Sequence, residues 1–79
     1  MNVTQELKVK IKEIIADKLF SDIEDIQDET NLSNDLGMDS LDAVELIMEF
    51  EKEFDIRIDD NEAYQCKTVS ELYTLLESI

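Results

Sequence analysis

Apolar residues return at helical spacing through most of this 79-residue chain, and nowhere do they alternate long enough to make a sheet. Val3, Leu7, Ile11, Ile14, Ile15 and Leu19 share one stripe; Ala43, Leu46, Ile47, Phe50 and Phe54 share a second; Val69, Leu72, Tyr73, Leu76 and Ile79 share a third. The one alternating run, Asp55-Ile56-Arg57-Ile58, is too short for a sheet without a partner strand. There is no proline and only one glycine, so nothing breaks these periods from within. Capping patterns bracket them. Asn2 with Gln5 opens the first helix, and the second runs from Ser40 to Glu53. Asp59 with Glu62 opens a short helix within Asp59 to Cys66, and Thr68-Val69-Ser70-Glu71 opens the last. The expected fold class is all-α: a four-helix bundle, three helices long and one short, in a single domain over residues 1–79.

From Phe20 to Met38 no period is sustained, which is long for an unstructured connection in a compact domain. Ser21-Asp22-Ile23-Glu24 reads as the cap of one short turn, and Ile23, Ile26, Leu32 and Leu36 are spaced to pin the rest to a core. A long anchored loop between the first two long helices follows.

Charge narrows the functions. Against 21 acidic residues stand 7 basic ones, a formal net of −14. Nucleic acid and anionic membranes would repel such a molecule, so its partners are expected to be basic protein surfaces. No apolar run reaches membrane-spanning length, and no secretory signal opens the chain, so a cytoplasmic monomer is expected. A lone cysteine, Cys66, excludes an internal disulfide and reads as a core thiol. No metal site is expected: an EF-hand loop centred on Gly37 would place Leu32 at the first ligand position.

The second helix carries more apolar surface than a bundle needs. Besides its core stripe, Leu41, Val44 and Met48 cluster well round the helix, rimmed by Asp39, Asp42, Glu45, Glu49 and Glu51. Acids also crowd its C-terminal end at Glu51, Glu53 and Asp55, where the helix dipole disfavours them, and only Lys52 stands near in sequence. Both patterns point to a docking surface for a basic partner. At the start of the same helix stands Ser40, three residues after Gly37. With no histidine in the chain, and Lys52 and Arg57 the only bases between Phe20 and Cys66, nothing activates that hydroxyl as a nucleophile. It is a poor catalyst and a good attachment point, and the chain is not expected to be an enzyme. A lone Asp-Ser-Leu would be read as a helix cap; here Gly37 turns the backbone and Asp39 can cap, leaving Ser40 free.

The stretch Gly37-Met38-Asp39-Ser40-Leu41 resembles the signature of acyl carrier proteins, and the likeness extends to helix order, loop length and charge. The resemblance implies a discrete carrier whose 4'-phosphopantetheine arm, taken from coenzyme A, is attached to Ser40 beside Gly37, Asp39 and Leu41. It implies acyl thioesters on that arm, most readily those of fatty-acid synthesis. It implies partners too: a phosphopantetheinyl transferase and synthesis enzymes docking on the second helix through Leu41, Asp42, Val44, Glu45, Met48, Glu49 and Glu51. The acyl chain would shelter between the second and third helices, among Leu46, Ile47, Ile58, Ala63 and Cys66. Lys52 inside the acidic run, Tyr64, and the lack of a proline near Asp59 depart from the family pattern. The rival readings are a polyketide or other acyl or aminoacyl carrier, and an unmodified acidic adaptor.

Overall fold

A computed structural model describes residues 1–79. It contains α1 (Gln5–Leu19), one 3-10 turn (Ile23–Asp25), α2 (Ser40–Phe54), α3 (Asp60–Tyr64) and α4 (Val69–Glu77), with no β-strand. At 9 residues α4 is shorter than α1 and α2, which have 15 each.

The caps follow local chemistry, with two corrections. The first helix is capped by Thr4 rather than Asn2: the Thr4 side chain accepts from the Leu7 N–H, while Val3, still in non-helical backbone, is buried in the core. Ahead of the 3-10 turn the Ser21 hydroxyl donates back to the Leu19 carbonyl at 3.4 Å instead of capping forward, and Asp22 occupies the cap position without a side-chain bond. Asp59 caps α3, and Thr68 with Glu71 closes a full capping box on α4. Glu71 accepts from the N–H groups of Lys67 and Thr68, which holds its carboxyl below the usual range.

The loop after α1 is fastened to the start of α4. Val69 and Ser70 N–H, which no helix turn can satisfy, donate to the carbonyls of Thr30 (3.2 Å) and Asp28 (2.8 Å), and Leu32 N–H donates to Lys67 O at 2.9 Å. Ile26 and Leu32 are buried beneath, and Leu36 half-buried. Ile23, expected as a further anchor, is 39% exposed instead.

Two ion pairs set α1 against α2. Lys10 reaches Glu53 at 3.0 Å and Lys18 reaches Glu45 at 3.7 Å. The partners step back along α2 as α1 advances, so the helices run antiparallel. The acids on α2 thus find their ion-pair partners on α1 and not in Lys52. Glu51 also supports the fold directly, since its carboxylate accepts the N–H of buried Ile58 at 2.9 Å. Exposed pairs add little individually. Their position still shows that the crowding at this helix end answers in part to the fold.

One core joins Ile11 and Ile15 of α1, Leu46, Ile47 and Phe50 of α2, Ala63 of α3, and Val69, Leu72, Tyr73 and Leu76 of α4. Ile79, past the end of α4, is exposed. The Tyr73 ring lies under the Lys8 ammonium, 5.2 Å from its centroid, and its buried hydroxyl has no hydrogen-bond partner. Burial first, then the charge of Asp28, pushes this phenol up to about 12. A raised pKa means the folded state resists ionisation. The stability is therefore whole below about pH 10, the unfolded value, and falls as pH climbs from there through about 12. Tyr73→Phe is expected to lose less stability over that window than the wild type. Denaturant melts across the window check this; identical alkaline slopes would refute it.

Candidate functional site

The segment before α2 is a single turn held by side chains. Asn31 Oδ1 accepts from the N–H groups of Ser33 (3.0 Å) and Asn34 (2.8 Å), while Asp35 Oδ2 accepts from Asn31 N–H at 2.8 Å. Gly37 ends the turn at φ 71, its N–H donating to Ser33 O at 3.0 Å, and Met38 N–H closes onto Leu32 O at 3.0 Å. That left-handed backbone costs about 1–2 kcal/mol for a residue with a Cβ, which is why glycine stands here.

The helix then starts on two carboxylates. Asp39 Oδ1 accepts from Asp42 N–H at 2.8 Å, and Asp42 Oδ2 accepts from Asp39 N–H at 3.2 Å. Ser40, the first helical residue, is exposed, and no hydrogen bond within the protein engages its hydroxyl. Asp39 and Asp42 do the capping, so the serine is not spent on it.

Ser40 opens on a cleft of ≈ 890 Å³ between α2, α3 and the loop. Met38, Ala43 and Val44 line it on one side, Ala63, Tyr64 and Cys66 on the other, with Asn34 and Lys67 as polar lining. Of the residues expected around a sheltered chain, Ala63 and Cys66 are here. Leu46, Ile47 and Ile58 are not; they are buried in the core. Met38, Ala43 and Tyr64 line the cleft as well. Ala43 could have been found from spacing alone, since a residue three on from Ser40 shares its face of the helix. The Cys66 thiol is half-buried and donates weakly to the carbonyls of Glu62 and Glu71, both at 3.6 Å. Burial, then the charges of Glu71 and Glu62, push it up, so it stays an unreactive thiol.

The outer stripe of α2 is where periodicity placed it. Leu41 is 65% and Met48 61% exposed. Val44 is partly exposed and turns toward the cleft, serving both surfaces, whereas Leu41 is not among the cleft residues. Its acidic rim is more occupied than sequence implied: Asp42 caps, Glu45 pairs with Lys18, Glu51 holds Ile58, and only Glu49 has no such bond.

Both the sequence and the fold match those of known proteins. The family model described as phosphopantetheine attachment site matches residues 9–76. The acyl carrier protein of Amoebophilus asiaticus is 49% identical over 72 residues, covering 91% of this chain and 90% of its own. That of Picosynechococcus sp. is 46% identical over 74 residues, covering 94% and 91%. The chain belongs to the acyl carrier protein family. A solved structure described as an acyl carrier protein from Mycobacterium tuberculosis superposes with a TM-score of 0.83 at 38% identity, covering 90% of this chain and 95% of that one. The protein is therefore a non-catalytic acyl carrier of fatty-acid synthesis that bears covalent 4'-phosphopantetheine. The residues present fit that group: an unengaged hydroxyl at a helix start, where an anionic phosphodiester is favoured, stands at the edge of a part-apolar cleft.

Proposed function

We propose that Ser40 is the attachment point of this carrier's prosthetic group. The observation that carries the reading is the free, exposed Ser40 hydroxyl on a start already capped by Asp39 and Asp42, in a chain with no histidine to make it a nucleophile. Once attached, phosphopantetheine supplies a flexible arm whose thiol holds acyl groups as thioesters. The protein's own residues orient and shelter. Gly37 sets the turn that presents Ser40, and the open N–H end of α2 stabilises negative charge there. Ala43, Val44 and Ala63 offer the apolar wall of the cleft. Leu41 and Met48 form the knobs on which the transferase and synthesis enzymes dock, with the −14 net charge steering basic surfaces toward them. No helix is long and apolar enough to cross a membrane, and we read the carrier as a cytoplasmic monomer. The test is intact mass after incubation with coenzyme A and a phosphopantetheinyl transferase: one arm's mass should be gained, mapped to Ser40. A gain mapped to any other residue would overturn the assignment to Ser40.

The cleft gives a second test. Ala63 is buried on α3 and lines the cleft, so a phenyl ring there fills space meant for cargo. Overpacking costs about 1–3 kcal/mol. α3 is only five residues long, with Ala63 its one buried side chain, so it can absorb part of that cost. Ala63→Phe is expected to keep the helical fold and to accept the arm. It should lose the extra thermal stability that a medium-length acyl chain gives the wild type. Equal stabilisation of both proteins in thermal melts would place the acyl site elsewhere.

A further inference from the structure

Helices α1 and α2 close in the same way. Each ends on a left-handed residue, Phe20 at φ 55 and Asp55 at φ 53, and the next N–H reaches five residues back. Ser21 N–H donates to Ala16 O at 2.9 Å, and Ile56 N–H to Glu51 O at 3.1 Å. Glycine or asparagine usually fills such a position, and aspartate tolerates it because its short polar side chain bonds locally. A phenylalanine there is the outlier. Its ring gives nothing back to the fold, being 97% exposed. Strain without burial means that the fold would be better served by glycine or asparagine.

The surroundings indicate what the ring is for. On one side, Phe20 and Ile23 border a shallow groove with Glu13 and Asp17; Lys10 lies there too but is paired with Glu53. On the other side, Asp22, Asp25 and Asp35 border a second groove that ends at Leu36. The ring is therefore an apolar knob flanked by carboxylates. It stands at the Ser40 end of the molecule. Lys18, just before it, pairs with Glu45 in the first half of α2, and Leu36 adjoins Gly37. A second copy of a −14 chain, or an anionic membrane, would be repelled from such a patch. A basic protein with a ring-sized apolar socket would be drawn to it, and the antiparallel pairing of α1 with α2 sets it toward the end where α2 begins at Ser40.

We propose that Phe20 is a second docking knob, received by an apolar socket on the basic surface of the phosphopantetheinyl transferase. The proposal rests on the reading that this enzyme also seats on α2. Exposed aromatic anchors that become buried on binding carry a large share of interface energy.

The experiment compares Phe20→Asn, Phe20→Trp and Met48→Ala as apo proteins, by thermal melting and by transferase kinetics at fixed ionic strength. Phe20→Asn is expected to raise the melting midpoint by roughly 4 °C or more, because asparagine relieves the left-handed strain. The same variant should raise the transferase KM about tenfold with little change in kcat. Phe20→Trp, which restores a ring, should stay within about threefold of wild type. An unchanged KM for Phe20→Asn alongside a raised KM for Met48→Ala would sink the knob and leave docking on α2 standing. Unchanged values for both would sink the α2 reading and the knob with it. A lower melting midpoint in Phe20→Asn would show that the ring serves the fold and overturn the proposal. Sedimentation of wild type as a dimer that Phe20→Asn dissolves would make the occupant a second copy and overturn it equally.

Discussion

Ser40→Ala is expected to abolish phosphopantetheine attachment completely while leaving the fold almost untouched. The two outcomes separate because different residues do the two jobs. Helix α2 is begun by the reciprocal bonds of Asp39 and Asp42, so losing the serine hydroxyl removes no cap. Alanine is also a good helix former at the first helical position. The cleft holds one other hydroxyl of this type, that of Ser33, but it donates to Met38 O at 3.2 Å. Intact mass after transferase treatment should show no gain for Ser40→Ala, and far-ultraviolet circular dichroism should overlay the wild type. Residual modification, mapped to Ser33 or elsewhere, would overturn the assignment.

Phe50→Ala should have the largest effect on stability. Phe50 is 1% exposed at the centre of the core and stacks on Phe54 with ring centroids 6.1 Å apart. Truncating a buried phenylalanine costs about 3–5 kcal/mol through lost transfer energy and the cavity left behind. A domain of this length has roughly 4–12 kcal/mol to lose, at about 0.05–0.15 kcal/mol per residue. The variant should therefore melt well over ~10 °C lower, at roughly 4–8 °C per kcal/mol. Met48→Ala on the same helix, 61% exposed, should shift the midpoint by little, because its side chain leaves little water on folding. Similar melting of the two variants would mean that the two faces of α2 have been assigned wrongly.

What the sequence alone determined lies within one or two helical turns. The apolar stripes, the caps at Asp59 and Thr68, the need for glycine at position 37, and a free Ser40 beside a capping Asp39 all depend on residues three or four apart, whose geometry the helix itself supplies. The two faces of α2 followed from its period, as the exposure of Leu41 and Met48 shows. The first cap was misplaced: Thr4, not Asn2, opens α1, and Val3 ahead of it is buried in the core. Only the tertiary structure decided how the helices cross. That crossing put Lys18 against Glu45 and Lys10 against Glu53, and it gave the Glu51 carboxylate the Ile58 N–H to hold. It also drew Leu46, Ile47 and Ile58 into the core and left Ala43, Val44 and Tyr64 around the cleft. Such pairings join residues far apart in the chain, so they depend on the angle and register at which helices pack, and no period within one helix encodes either.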